Sequence, residues 1–253
     1  MKREALIYEM ILKRKSFHIF KETGKIASEE LTEVEAVFQT LRPLAEDIKV
    51  DMRILPAEET NCKRGQEYCI LLYSERKPHY LQNIGFIGEQ MDLYLASKDI
   101  GALWLGIGKA DEEQAKYHGL DFVIMFAIAK MPTDKFRKDM FKSKRKSLEE
   151  IRQGEYGQEI GIIARFSPSA CNTQPCMVES GGGELKIFRY KKPGKRGIMP
   201  ADKVAYYNRI DIGIFLLFVE LWLENQGMRF ERTLAMDESD DEAEKVLAAM
   251  YRL

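Results

Sequence analysis

Histidine is scarce: only His18, His79 and His118 occur in 253 residues, and none stands in a Ser-His-Asp or Cys-His pattern. A triad hydrolase therefore has no support here. The four cysteines, Cys62, Cys69, Cys171 and Cys176, form no Cys-x-x-Cys pair and have no matching histidine spacing, which sets aside zinc and a disulfide framework. Long apolar runs are missing too. The most apolar stretch, Ile210 to Leu223, contains Asp211 and Glu220 and falls short of the ~20 residues a bilayer span needs. It reads as a buried helix, and no membrane is expected as a partner. Charge of one sign is not in excess: Lys and Arg total 39, Asp and Glu 40, leaving a formal net charge of -1. No global field draws the chain to nucleic acid or to an anionic surface. The opening Met-Lys-Arg-Glu-Ala lacks the apolar core of a secretion signal, so the expected compartment is the cytoplasm.

What is present is an ordinary globular composition, 45% apolar and 31% charged, with length for one large domain or two small ones. Leu6, Ile7, Met10 and Ile11 predict a helix over residues 4–13, and a second helix is expected from Leu31 to Asp47 with Thr32 and Glu35 as a capping box. Alternation at Ile48, Val50, Met52 and Ile54 predicts a half-buried strand, and apolar runs predict strands over 68–73, 101–108 and 122–129. A long helix separates the first two of these runs, over 80–98. In the second half, a helix is expected over 155–166, strands over 176–179 and 184–190 around a Ser-Gly-Gly-Gly breaker, and a basic loop at 193–197. A long apolar helix over 202–225 capped by Gly227, a strand over 228–234 and a tail helix over 237–253 complete the chain. The basic stretch Met131 to Lys146 has only Phe136 and Phe141 as interleaved aromatics. It reads as a solvated connector, not a nucleic-acid patch.

Two features recur. Arg14-Lys15-Ser16 returns as Arg145-Lys146-Ser147, and Asn83 with Gly88 is echoed by Asn208 with Gly213, at offsets of 131 and 125 positions. The echo suggests one unit used twice, with halves 1–146 and 147–253. The halves are complementary. The first keeps Gly101-Ala-Leu-Trp-Leu-Gly106 but has Leu41-Arg-Pro-Leu44 where a serine/asparagine turn would be expected, and the second has that turn, Ser167-Pro-Ser-Ala-Cys-Asn172, without a tryptophan-glycine strand.

Arg14-Lys15-Ser16 sets two cations beside a hydroxyl, which suits an anion such as a phosphate. Together with Asn83-Ile-Gly-Phe-Ile-Gly88, Ile100-Gly-Ala-Leu-Trp-Leu-Gly106, Arg145-Lys-Ser-Leu-Glu-Glu150 and Ala164-Arg-Phe-Ser-Pro-Ser-Ala-Cys-Asn-Thr-Gln-Pro175, it resembles the FMN-dependent nitroreductase family over nearly the whole chain. The order of the parts resembles the internally duplicated, pseudo-dimeric subgroup named putative TM nitroreductase. The resemblance implies an α+β, nitroreductase-like fold: mixed central sheets flanked by helices, in two fused related halves that form one pseudo-dimeric unit. It also implies that Arg14 and Ser16 hold the FMN phosphate, that Lys15 reaches the pyrimidine edge, and that Lys144 and Arg145 complete the phosphate site. Pro168, Ser169 and Asn172 would approach the ring and ribityl chain, and Ile100 with Gly101 would present backbone near the reactive flavin nitrogen.

Three departures stand out: His18 replaces a common arginine, Cys176 replaces a common tryptophan, and the first half lacks its own Ser-Pro-Ser turn. The last implies one FMN per chain. The expected function is NAD(P)H-dependent reduction of a small electrophile such as a nitroaromatic or quinone. The flavin carries the chemistry and no catalytic side chain or metal is assigned. The alternative is a flavin-binding or degenerate scaffold that senses without turnover. The state expected is a monomeric pseudo-dimer or a homodimer.

Overall fold

Two five-stranded sheets organise the residues that the computed structural model describes, which are 3–138, 144–155, 158–192, 194, 196–236 and 244–253. The chain divides into two units, Met1–Tyr80 with Ile87–Met140, and Leu81–Phe86 with Phe141–Leu253. The sequence had placed the boundary at 146/147.

The first unit runs α1 (Arg3–Lys13), α2 (Ser28–Phe38), β1 (Val50–Pro56), β2 (Tyr68–Ser74), α3 (Tyr80–Ser97, of which Leu81–Phe86 belong to the second unit), β3 (Ile100–Leu105), β4 (Lys116–Tyr117) and β5 (Leu120–Lys130). Its strands lie in the order β1-β2-β5-β3 with antiparallel neighbours, and β4 pairs with β5. The two unbroken apolar runs became its central strands: Cys69 to Tyr73 and Met125 to Ala129 are all 0% exposed. Strands covered on both faces have no polar side to display, which is why they lack alternation.

The second unit runs α4 (Leu148–Ile151), β6 (Arg152–Gly154), α5 (Gln158–Arg165), β7 (Cys176–Gly181), β8 (Glu184–Tyr190), α6 (Val204–Asn225), β9 (Glu231–Leu234) and β10 (Lys245–Arg252). Its order is β6-β7-β8-β10-β9, antiparallel except for β6 beside β7. The β7–β8 hairpin turns through Gly182 and Gly183, whose φ values of 59° and 79° are those a twisted two-residue turn requires. Helix α6 stops in a Schellman motif, with Gly227 N–H bonded to Glu224 and Met228 N–H to Leu223. Both units share one connectivity. A hairpin leads to a long helix, then an edge strand, then a final strand inserted between that edge and the hairpin.

Two expectations are corrected. Helix α2 ends at Phe38, not Asp47, and its capping box is Glu30 accepting from the Ala27 N–H. Pro43 disfavours a helical residue before it. The tail is not a helix: its described part, β10, lies inside the sheet between β8 and β9, while residues 237–243 lie outside the described ones. The helix-favouring Leu-Ala-Ala-Met of β10 yields to pairing on both edges. Among the described residues no helix is long and apolar enough to cross a membrane.

In the second unit α6 lies directly against residues 81–86. A Cβ built on Gly85 would sit 2.0 Å from the Ile210 carbonyl oxygen, and one built on Gly213 would sit 1.8 Å from that of Gln82. Both positions need glycine for backbone contact. Gly213→Ala should lower stability by at least about 1–3 kcal/mol, read as a lower urea midpoint. Gly181→Ala, whose Cβ meets nothing within 4 Å, should shift it by less than about 0.5 kcal/mol.

Candidate functional site

In the first unit Arg14 leaves α1 and turns inward, 3% exposed. Its Nε donates to Asp92 Oδ2 at 2.8 Å and lies 3.6 Å from Glu89 Oε1, and its Nη2 reaches Ser16 Oγ at 3.2 Å. The indole Nε1 of Trp104 donates to the same acids, 3.1 Å to Asp92 and 3.2 Å to Glu89. Glu89 and Asp92 are one helical turn apart on α3, at 0% and 1% exposure. Burial works to lower the Arg14 pKa, but the charges of Asp92 and Glu89 together raise it above its ordinary value. Its guanidinium is the counter-ion of two buried carboxylates, with Nη2 turned to the Ser16 hydroxyl.

The neighbouring candidates are packed against β3. Ser16 forms a parallel bridge with Ala102, and Phe17 N–H donates to the Ala102 carbonyl at 3.0 Å. Lys15 is exposed, its Nζ 2.9 Å from the Lys135 carbonyl oxygen. Ile100 and Gly101 are buried in β3, and a Cβ on Gly101 would meet Met131 and Phe17 at 2.6–2.7 Å. Side-chain packing alone therefore accounts for that glycine.

In the second unit the 168–175 corner is tightly built. Cys171, Asn172 and Gln174 have φ of 50°, 55° and 45°, left-handed positions interrupted by right-handed Thr173, and each costs a side chain roughly 1–2 kcal/mol. Asn172 is clamped at both ends of its amide: Oδ1 accepts from Arg145 Nη1 at 2.6 Å, and Nδ2 donates to the Lys144 carbonyl at 2.8 Å. Ser169 Oγ accepts the Gln174 N–H at 3.0 Å, and Gln174 Oε1 accepts the Lys146 N–H at 2.8 Å. Arg165 donates to the Lys146 carbonyl. Four of the expected residues, Lys144, Arg145, Ser169 and Asn172, thus share one hydrogen-bonded corner, and Pro168 is buried beside them in the chain.

Beneath the corner lies a residue that the sequence reading passed over. Asp211 of α6, 4% exposed, accepts the Ala170 N–H at 2.9 Å through Oδ1. One turn earlier Asn208 accepts from Thr173 Oγ1 at 3.2 Å. The signal was available: an acid inside the most apolar run of the chain needs a partner. The sequence reading used it only to exclude a membrane span. Glu89 and Asp92, buried in an apolar helix, were legible in the same way.

A model of the family described as putative TM nitroreductase matches residues 6–222. A putative nitroreductase of Thermotoga maritima is 20% identical, with a TM-score of 0.64 over 98% of this chain and 93% of that one. The likeness shows that this chain has the nitroreductase-like fold. A nitroreductase family protein of Clostridium difficile is 15% identical at a TM-score of 0.47, covering 59% of this chain and 98% of that one. A putative nitroreductase of Desulfovibrio desulfuricans in complex with FMN is 17% identical at 0.42, covering 60% and 97%. No curated protein matches the sequence.

Because Arg14 neutralises buried acids, Arg14→Ala should destabilise the protein by about 3–5 kcal/mol, the cost of stranding a buried charge. Urea unfolding measures it. The loss should shrink when Glu89→Gln and Asp92→Asn are already present, and Lys15→Ala, at an exposed site, should cost less than about 1 kcal/mol.

Proposed function

We propose, for a chain that belongs to the putative TM nitroreductase family, that it is an FMN-dependent oxidoreductase: a nicotinamide dinucleotide is the electron donor and a small electrophile the acceptor. The observation that carries the reading is the family match, whose residues 6–222 include both the Arg14-Lys15-Ser16 and the Ala164–Pro175 stretches.

The donor chemistry of the second unit suits this cofactor. Lys144 and Arg145 offer cations for a phosphate, and Ser169 and Asn172 offer a hydroxyl and an amide for ribityl and ring oxygens. The left-handed residues Cys171, Asn172 and Gln174 are held from several sides, and such held strain is common where a site must be preorganised. In the first unit Lys15, Ser16, Ile100 and Gly101 stand in the proposal on the family resemblance. Arg14 does not fit as a direct phosphate ligand. We assign it to positioning, since the bond from its Nη2 orients the Ser16 hydroxyl. When bound, FMN supplies the hydride and electron transfer. The chain's own part is to bind it, orient it and exclude water.

The proposal includes an internal duplication, in a different register from the sequence echo. Gly213 and Ile210, which make the close approach to residues 81–86, stand 128 residues after Gly85 and Gln82. The same offset relates Glu220 to Asp92 and Arg232 to Trp104, and in both pairs the acid is bonded to a partner 12 residues on. The offset of 131 at the Arg-Lys-Ser triplets narrows by three residues before the long helices, a difference that loops absorb. Only the second copy carries the Ser-Pro-Ser corner, so one FMN per chain is proposed.

Purified chain titrated with FMN should bind one equivalent, and the loaded protein should oxidise NADH or NADPH when a quinone or nitroaromatic is added. Arg145→Ala should weaken FMN by about tenfold or more, the loss of a charge-assisted bond worth roughly 1.5–3 kcal/mol. A chain that takes up no FMN refutes the reading. Binding without dinucleotide oxidation by any acceptor points instead to a non-catalytic flavin-binding scaffold.

A further inference from the structure

We propose that Asp211 is the positioning residue of the 168–175 corner: its buried carboxyl holds the Ala170–Gln174 turn closed in the neutral form, and loss of its proton favours an open turn with weaker cofactor binding. The inference rests on the functional reading for its cofactor arm, and for the turn on geometry together with the burial of the carboxyl. The Ala170 N–H, just before left-handed Cys171 and Asn172, is fixed by Asp211 Oδ1 at 2.9 Å. The other oxygen, Oδ2, is buried and has no hydrogen-bond partner among the described residues. A charge placed there would be hydrated only if the turn moved away.

The surroundings supply little to stabilise a charge. On α6 itself the neighbour one turn back is neutral Asn208, whose Nδ2 is also buried without a partner among the described residues. From the turn, the Ala170 N–H and the Thr173 hydroxyl favour the charged form. Burial outweighs them and pushes the Asp211 pKa up to about 8. From β7 comes the Cys176 thiol, itself raised by burial first and then by Asp211. The cations of the 144–147 segment, Arg145 and Lys146, act on that thiol in the opposite direction. In the 128-residue register Asp211 corresponds to Asn83, a side chain that is neutral at every pH.

The sign follows from linkage. A carboxyl whose pKa rises from 3.8 to about 8 on burial binds a proton more tightly in the closed turn than in an open one. Closure is therefore favoured most below the lower value, and that advantage is lost as pH rises toward the upper one. At full coupling the loss approaches a factor of about ten per pH unit.

Two measurements on the full chain test this. FMN affinity is titrated from pH 6 to pH 8 for the wild type, Asp211→Asn and Asp211→Leu. Asp211→Asn keeps the acceptor without a titrating proton, so its affinity should stay level from pH 6 to pH 8 while the wild type's falls. Asp211→Leu should bind weakly throughout. Hydrogen exchange of the peptide carrying residues 170–174, corrected for intrinsic rates and referenced to β2, should quicken with pH in the wild type and not in Asp211→Asn. Identical pH profiles for wild type and Asp211→Asn in exchange overturn the proposal, as does Asp211→Leu binding FMN like the wild type. A wild type that binds no FMN refutes the functional reading, and the exchange comparison still decides the role of Asp211. Should Asp211→Leu fail to fold, the Asp211→Asn exchange profile decides.

Discussion

A buried acid on each long helix, bonded to a donor 12 residues further on, is the interaction that the rest of the architecture depends on. Asp92 meets Trp104 in one unit and Glu220 meets Arg232 in the other. Helix α6 shows why such a tie is needed. From Ile210 to Leu223 every residue is buried, so apolar burial is nearly indifferent to rotation of the helix about its axis. A carboxylate in that interior is not indifferent. Unless it faces its partner it costs several kcal/mol, so only one rotation is acceptable. Tyr251 adds a second donor at 2.9 Å from Glu220, which ties the last strand to the same helix. With the rotation set, Gly213 faces the backbone of residues 81–86, and Asn208 and Asp211 face the turn at 170–173.

Most of the scaffold was legible because burial leaves a direct imprint on residue pattern. Both central strands of the first unit and both long helices were placed within a few residues. The tail was not, because Lys245 to Arg252 carries residues that suit a helix, and only its two neighbours in the sheet make it a strand. The same limit applies to β6, whose three residues carry no pattern and owe their state to β7.

At the site, residue types were legible and partners were not. Arg14 and Arg145 stand in identical Arg-Lys-Ser triplets, yet Arg14 bonds to Asp92 in the core while Arg145 bonds to Asn172 on an exposed turn. Their flanks differ, Ile11-Leu12 against Lys142-Ser143, but neither flank names a partner. The difference lies at Glu89 and Asp92, more than seventy positions away, whose burial demands a cation. Local composition predicts what a side chain can bind, and only the fold decides what it meets first.

The corner at 168–175 shows the converse, a conformation that local sequence opposes and tertiary contacts impose. Cysteine, asparagine and glutamine in left-handed geometry are each uphill, and of the three only asparagine visits that region readily. The restraints come from four directions: Arg145 and the Lys144 carbonyl on Asn172, Ser169 on the Gln174 amide, the Lys146 amide on the Gln174 side chain, and Asp211 on Ala170. Three of these are made by groups within about 30 residues of the turn. The fourth crosses to α6, as does the Thr173–Asn208 bond, and is held from the apolar interior. A turn under strain opens at the restraint whose strength can change. Among these restraints, the Asp211 bond is the one made by a carboxyl, a group that gains and loses a proton, and its change of charge acts where water is excluded and each charge is felt most strongly.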